Sequence, residues 1–350
     1  MLLKILKVQQ HLLLLTLGGA LLPLPAGASS CKSQSQMTSG QRDTLSSAAR
    51  TIIGEVQSGN VSALRAYSIP ELAADFSNVA DSIESLKPLM QNSSIAVDSL
   101  YAMDASIDSS GAGQTDFFCG TPLVVLTFTK LPPGRYAFVI VHATGVPLPQ
   151  QISMILAETD QHGWLLGGFF SKPMVEAGHD GLWYWVTARD YAQRGLRWDA
   201  WLYYRTAVSL LQPVEFLSSP NLVKLQQEQK SVHPEESSGA KPLLLNANGF
   251  SFQVTSITTT DIFGALDLEV HYIPDTAQVV QLRTPTDARK QVTEVMTALL
   301  TLHPEIQQAF HGFWVHADGE SANIFSLELP LDQILPAKQQ PFLNQSSVLQ

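Results

Sequence analysis

Trp183-Tyr184-Trp185-Val186-Thr187-Ala188-Arg189-Asp190-Tyr191-Ala192-Gln193-Arg194-Gly195-Leu196-Arg197-Trp198-Asp199-Ala200-Trp201-Leu202-Tyr203-Tyr204-Arg205-Thr206-Ala207, followed by Pro213, is the stretch that organises the chain. Small Ala188 and Ala200 let two antiparallel helices approach closely, while Gly195 opens the turn between them. Tyr184, Tyr191 and Tyr204 fill the space between helices, and Pro213 stops the second. Upstream, Asp180 in Gly178-His179-Asp180-Gly181 supplies a cap for the first helix. Downstream, Ser219-Pro220-Asn221-Leu222 starts a further helix to about Gln229 that covers the end of the pair. A lone hairpin cannot bury its own apolar face, so it needs a neighbouring unit to pack against.

On the N-terminal side, Leu45, Ala48, Ala49, Ile52, Ile53 and Val56 recur at helical spacing and predict a helix ended by Ser58-Gly59-Asn60. A second helical stretch follows Pro70, with Leu72, Phe76, Val79, Ile83 and Leu86 on its inner face. Beyond Pro88 the pattern turns to strands: Ile95 to Ala105, Leu123 to Thr129, Arg135 to His142, Gln151 to Glu158 and Trp164 to Phe170. Helices followed by a meander of strands imply an antiparallel sheet wrapped on one side by helices. On the C-terminal side, the composition of residues 231–242 marks a linker. A second α+β pattern then follows over 243–335. Phe250 to Thr258 and Ala265 to Ile273 read as a hairpin, with Leu266, Leu268, Val270 and Tyr272 alternating against a wet face of Asp267, Glu269 and His271. Thr284-Pro285-Thr286-Asp287 is a strong helix start for a helix lined by Ala288, Val292, Val295, Met296, Leu299 and Leu300. Phe313 to Ala317 and Asn323 to Leu329 finish the sheet across Asp318-Gly319-Glu320, and residues 336–350 read as a frayed tail.

Two resemblances follow from these patterns. Residues 183–213 resemble a tetratricopeptide helical hairpin, within a helical unit over 178–230. The order of helices and strands over 41–173, closing on His162-Gly163-Trp164-Leu165-Leu166-Gly167-Gly168-Phe169, resembles the nuclear-transport-factor-like cone fold, which sets a cone-like α+β domain over 41–175. The expected fold class is therefore α+β: helices on a curved antiparallel sheet, the hairpin, and a small C-terminal α+β domain. Fold alone implies no activity.

Residues 1–30 read as a signal peptide. Lys4 and Lys7 precede an apolar run, His11 to Leu22, too short to cross a bilayer, and Ala26-Gly27-Ala28 places small residues for cleavage before Ser29. The whole chain in this respect resembles an exported bacterial envelope protein, either periplasmic or a membrane-anchored lipoprotein. Ala28-Ser29-Ser30-Cys31 resembles a lipobox, although Ala28 stands where that motif prefers Leu, and it would make Cys31 a lipidation site in a mobile polar stretch. Cys31 and Cys119 are the two cysteines of the chain, so a disulfide between them in an oxidising compartment is the competing reading, and both fates cannot hold. Asn60, Asn92 and Asn344 head glycosylation triplets. A net charge of −10 without a dense Lys/Arg run argues against nucleic-acid partners and leaves a lipid anchor at Cys31 as the route to a membrane.

For chemistry, the chain has no Walker loop, dinucleotide glycine fingerprint, zincin helix or nucleophile elbow, and no catalytic residue or cofactor is assigned. His142 with Tyr136 and Phe138 forms the alternative pocket of the cone-like domain, an enzyme or small-ligand reading. Glu158, by contrast, falls opposite Arg135 as a surface ion pair. His311, His316, Asp318 and Glu320 look like a metal cluster by eye, but imidazoles five residues apart on a strand face opposite ways, so no metal site is assigned. Four of the six tryptophans lie in the hairpin. Trp183, Trp185, Trp198, Trp201 and Tyr203 exceed what it needs, and one reading uses them to glue it to the preceding sheet. The other assigns Trp185, Arg189, Trp183 and Trp201 to binding a protein or peptide partner, because the tetratricopeptide resemblance puts Trp185 and Arg189 on the ligand-facing side of the first helix.

Overall fold

The structure is a computed structural model that describes residues 30–106, 113–120, 123–235 and 242–334. The leader, with its cleavage site, and the tail with Asn344 lie outside the described residues, as do 236–241 of the linker. Strand β1 (Ser30–Ser33) is followed by helix α1 (Ser39–Ser58), which Thr38 caps reciprocally with Gln41 and which Gly59 ends in the left-handed conformation. Helices α2 (Val61–Ala66), α3 (Pro70–Ala74) and α4 (Ser77–Met90) complete the N-terminal layer. The single helix expected after Pro70 is two, with Phe76 at the break, and α4 runs two residues past Pro88, which lies inside its last turn.

Strands β2 (Ser94–Asp104), β3 (Gln114–Cys119), β4 (Val124–Thr129), β5 (Arg135–Thr144), β6 (Gln150–Thr159) and β7 (Gly163–Pro173) follow. The main sheet is antiparallel, in the order β1-β2-β5-β6-β7. Leu100, Val139, Val141, Ile152, Met154 and Leu166 on one face bury the stripes of α1 and α4. The one-sided wrap expected from the sequence is corrected here, because Met103, Phe138 and Ile140 on the other face are buried too. They meet Phe117, Leu126 and Phe128 of a second sheet, in the order β10-β4-β3, whose strand β10 (Leu217–Ser218) comes from beyond the helical hairpin. The run Phe138-Val139-Ile140-Val141 is apolar at consecutive positions because both faces of β5 are covered.

After the short strands β8 (Val175–Glu176) and β9 (His179–Asp180) come α5 (Gly181–Gln193), α6 (Arg197–Leu211) and, beyond β10, α7 (Pro220–Ser231). Asp180 accepts from the Trp183 amide as the N-cap of α5, Gly195 is left-handed between α5 and α6, and Tyr184, Ala188, Ala200 and Ala207 are buried. The surplus aromatics do not glue this pair to the preceding sheet. Tyr203 packs on Phe310 and donates to the Ala309 carbonyl, Trp198 lies against His303, and the hairpin shares one core with the C-terminal unit. Val214, Leu217 and Leu222, just beyond α6, enter the core between the two N-terminal sheets instead.

The C-terminal unit runs β11 (Leu243–Ala247), β12 (Phe250–Thr260), β13 (Asp267–Ile273), α8 (Thr276–Gln281), α9 (Pro285–Leu302), β14 (Gly312–Asp318), β15 (Asn323–Pro330) and α10 (Leu331–Ile334). Its sheet follows chain order, antiparallel except for β13 and β14, which are parallel and joined across α8 and α9. Thr284 caps α9 with Pro285 in its first turn, and Ala288, Val292, Val295, Met296, Leu299 and Leu300 are buried, as their spacing predicts. Among the described residues no helix is long and apolar enough to cross a membrane.

Candidate functional site

Cys31 sits in β1, paired with Met103 of β2, and its sulfur is bonded to Cys119 of β3. The expectation of a lipidated Cys31 on a mobile tether is corrected by this arrangement: a sulfur in a disulfide cannot also form a thioether, and the surrounding chain is strand.

The alternative pocket does not assemble. Phe138 is fully buried between Tyr101 and Phe216, and the face it shares with Ile140 is packed with side chains. Tyr136 instead lines a groove of about 380 Å³ beside Arg135, Glu158 and Trp164, donating its hydroxyl to the Pro132 carbonyl. His142 lies some 20 Å along the strand, its Nδ1 3.7 Å from an Asp98 oxygen. Arg135 and Glu158 form the expected ion pair at 2.8 Å.

The hairpin residues singled out for binding are engaged within the chain. Arg189 forms two 2.8 Å hydrogen bonds to Glu228 of α7, and Trp185 Nε1 donates to the same carboxylate at 2.7 Å, with the guanidinium over the indole. Burial pushes the Glu228 carboxyl up, but the hydrogen bonds from Arg189 and Trp185 together with the Arg189 charge outweigh it and hold the group below its ordinary value. Trp201 is buried beside Trp198, with Arg205 over its ring, and Trp183 stacks on His179 at 3.7 Å. The groove that the tetratricopeptide resemblance leaves for a ligand is thus covered by α7.

An open groove lies elsewhere. Among the described residues strand β11 is an edge, and its hairpin with β12 turns through Asn248 and Gly249, both at positive φ. A two-residue turn of this kind makes Ala247 and Phe250 the hydrogen-bonded closing pair. Alternation then aims the main-chain N–H and C=O of Leu244 and Asn246 away from β12. Facing that edge, the outer side of α9 and β11 enclose a groove of about 820 Å³, lined by Leu244, Asn246, Arg289, Thr293, Thr297 and Thr301 among others. The hydroxyls of Thr293, Thr297 and Thr301 donate to carbonyls one turn back in α9, so their methyl groups are what remains to meet a ligand. Sequence reading passed over this site because β11 is five residues long and its apolar run Leu243-Leu244-Leu245 carries no alternation.

The residues weighed as a metal cluster fall into two groups, and His311 precedes β14 rather than lying on it. His311 bonds buried Asp267 at 3.0 Å, with Glu328 near, while Glu320 joins neither group. Asp267 itself departs from the wet face expected of it, and burial pushes its carboxyl up against the pull of His311. His316 and Asp318, however, come together with His271 and Glu269 of the neighbouring strand. No family model matches this chain, and no curated protein or solved structure matches it either.

Proposed function

We propose that this protein is an exported, non-catalytic binding protein that captures an extended peptide segment of a partner in the groove between β11 and α9. The carrying observation is a strand edge with no partner among the described residues, beside an open groove of about 820 Å³. A peptide laid along β11 satisfies the outward N–H and C=O groups of Leu244 and Asn246 as an added strand, and its alternate side chains meet α9. Leu244, 57% exposed, and the threonine methyls offer apolar contact, and Arg289 and Lys290 offer charge to a carboxylate on the peptide. Export is supported by the leader pattern and by the Cys31–Cys119 disulfide, a bond that persists in oxidising compartments.

The test selects peptides from a displayed random library on the purified protein and measures their affinity for variants. Asn246→Pro removes an outward N–H without touching the β11–β12 ladder, and Thr297→Trp fills the groove. Each weakens a selected peptide about tenfold or more, the loss of roughly one well-made backbone contact set, with the unfolding midpoint unchanged. Selected peptides that bind both variants as tightly as the parent place the binding surface elsewhere and end this reading.

A further inference from the structure

On β13, Glu269 and His271 are two residues apart and so share a face, and the parallel register sets His316 of β14 directly beside His271. That face is opposite the one on which Tyr272 receives the Gln291 amide of α9. Three potential ligand atoms converge there: Glu269 Oε1 lies 3.5 Å from His271 Nε2 and 3.4 Å from His316 Nε2. The edge of a tetrahedron of ligands about 2.1 Å from a central ion is about 3.4 Å.

The surrounding hydrogen bonds determine which atoms face the centre. Ser326 Oγ donates its proton to Asn323, so its 2.8 Å contact with His316 Nδ1 is one in which the imidazole donates. Asp318 Oδ2 accepts from His271 Nδ1 at 2.8 Å. Thr258 donates to the other oxygen of Glu269. Each of the three side chains is therefore held from behind by a second residue, and with Nδ1 engaged there, each imidazole turns its Nε2 toward the carboxylate. His316 Nε2 is buried with no hydrogen-bond partner, its side chain only 9% exposed. Three ligating atoms pointed at one another, one of them buried and without a hydrogen bond, call for a cation. Oriented His with carboxylate or hydroxyl partners behind the ring is the arrangement that tunes protein metal ligands.

We infer that Glu269, His271 and His316 bind a divalent transition-metal ion of the zinc class, with Asp318 and Ser326 as positioning residues and a solvent molecule in the fourth place. Two imidazoles and one carboxylate suit zinc, cobalt, nickel or copper rather than calcium or magnesium. Glu269 and His271 are partly exposed, which gives the ion a route in. The imidazoles are stacked at 4.4 Å and within 10° of parallel, so they splay about their Cβ–Cγ bonds when the ion enters.

The experiment titrates the chelator-treated full chain with Co²⁺, reading tetrahedral visible absorption, and then with Zn²⁺ by calorimetry. One equivalent of each binds, with Zn²⁺ displacing Co²⁺. His271→Asn and Glu269→Gln each raise the dissociation constant at least tenfold, and Asp318→Asn raises it about 10–100-fold, the range for a residue acting behind a ligand. His311→Asn, in the other histidine group, leaves it unchanged. His316→Asn abolishes binding; because that residue is buried, the two partly exposed variants decide the matter if it does not fold. Failure to bind either ion at millimolar concentration overturns the inference, leaving the group as a proton-sharing ion cluster. Binding lost in His311→Asn and kept in His271→Asn overturns it as well, placing the ion at Asp267. Peptide capture at β11 is measured separately, so either result stands without the other.

Discussion

Replacing Asp199 by Asn should stabilise the protein at neutral pH and leave its stability unchanged in acid. Asp199 is fully buried in the first turn of α6, and neither of its carboxylate oxygens has a hydrogen-bond partner. Burial, and then the nearby Glu305 charge, raise its pKa from 3.8 to about 8 against the pull of Arg194. Folding at pH 7 therefore takes up a proton that the unfolded chain has released, at a cost of roughly 4 kcal/mol at about 1.4 kcal/mol per pH unit. The amide dipoles at the start of α6 favour the charged form by up to about 2 kcal/mol, which leaves a net cost of about 2–4 kcal/mol. The sign follows from linkage. The folded pKa lies above the unfolded one, so the stability is complete below the unfolded value of 3.8 and is lost as pH rises toward about 8. Asparagine has nearly the same shape and no proton to take up. Urea midpoints followed by tryptophan fluorescence should coincide for Asp199→Asn and the parent at pH 4 and separate progressively to pH 7, the variant being the more stable. A variant less stable at pH 7, or a difference that does not change with pH, would mean that Asp199 is ionised and paired in the folded chain, and would refute the reasoning.

Opening the Cys31–Cys119 bond, which closes a separation of 88 residues, should lower stability by about 4–5 kcal/mol on the loop-entropy model; unfolding midpoints with and without reductant measure it, and equal midpoints would count against a structural role. The intact mass of mature native protein, two hydrogens lighter than the reduced chain, would agree with the bond, whereas a diacylglyceryl adduct would restore the lipidation reading. Arg189→Ala leaves Glu228 with one of its strong donors removed and should cost about 1–2 kcal/mol, seen as a lower melting temperature. A partner-binding residue free in solution would instead change affinity alone.

What was legible in the sequence tracks how local the determining interactions are. Helix α9 could be read almost residue by residue because its cap, its first-turn proline and its buried stripe all lie within its own length. The central strands were legible for the same reason, having turns of Gly, Pro or Asp between long apolar runs. By contrast, β10 is two residues long and exists because Leu217 and Ser218 meet Leu126 and Val125, a pairing across most of the N-terminal unit. Nothing within Leu217-Ser218 could announce it. The hairpin was read correctly as a pair of close helices and incorrectly as to its neighbour. Tyr203 and Trp198 are apolar because they enter the C-terminal core, and the same composition would have suited either side.

The histidine group shows the same limit from the other direction. Testing His311 against His316 asks whether one strand can bring both side chains to one ion, and alternation answers no. The productive pair spans two strands, His271 and His316, in register because β13 and β14 are parallel neighbours joined across α8 and α9. Both strands and the long helix between them were visible in the sequence, and a strand–helix–strand order favours parallel pairing of the two strands. Taken one step further, that order sets the wet-face positions of β13, Glu269 and His271, beside those of β14. The two histidines then become neighbours through topology, a relation that residue spacing along either strand cannot express.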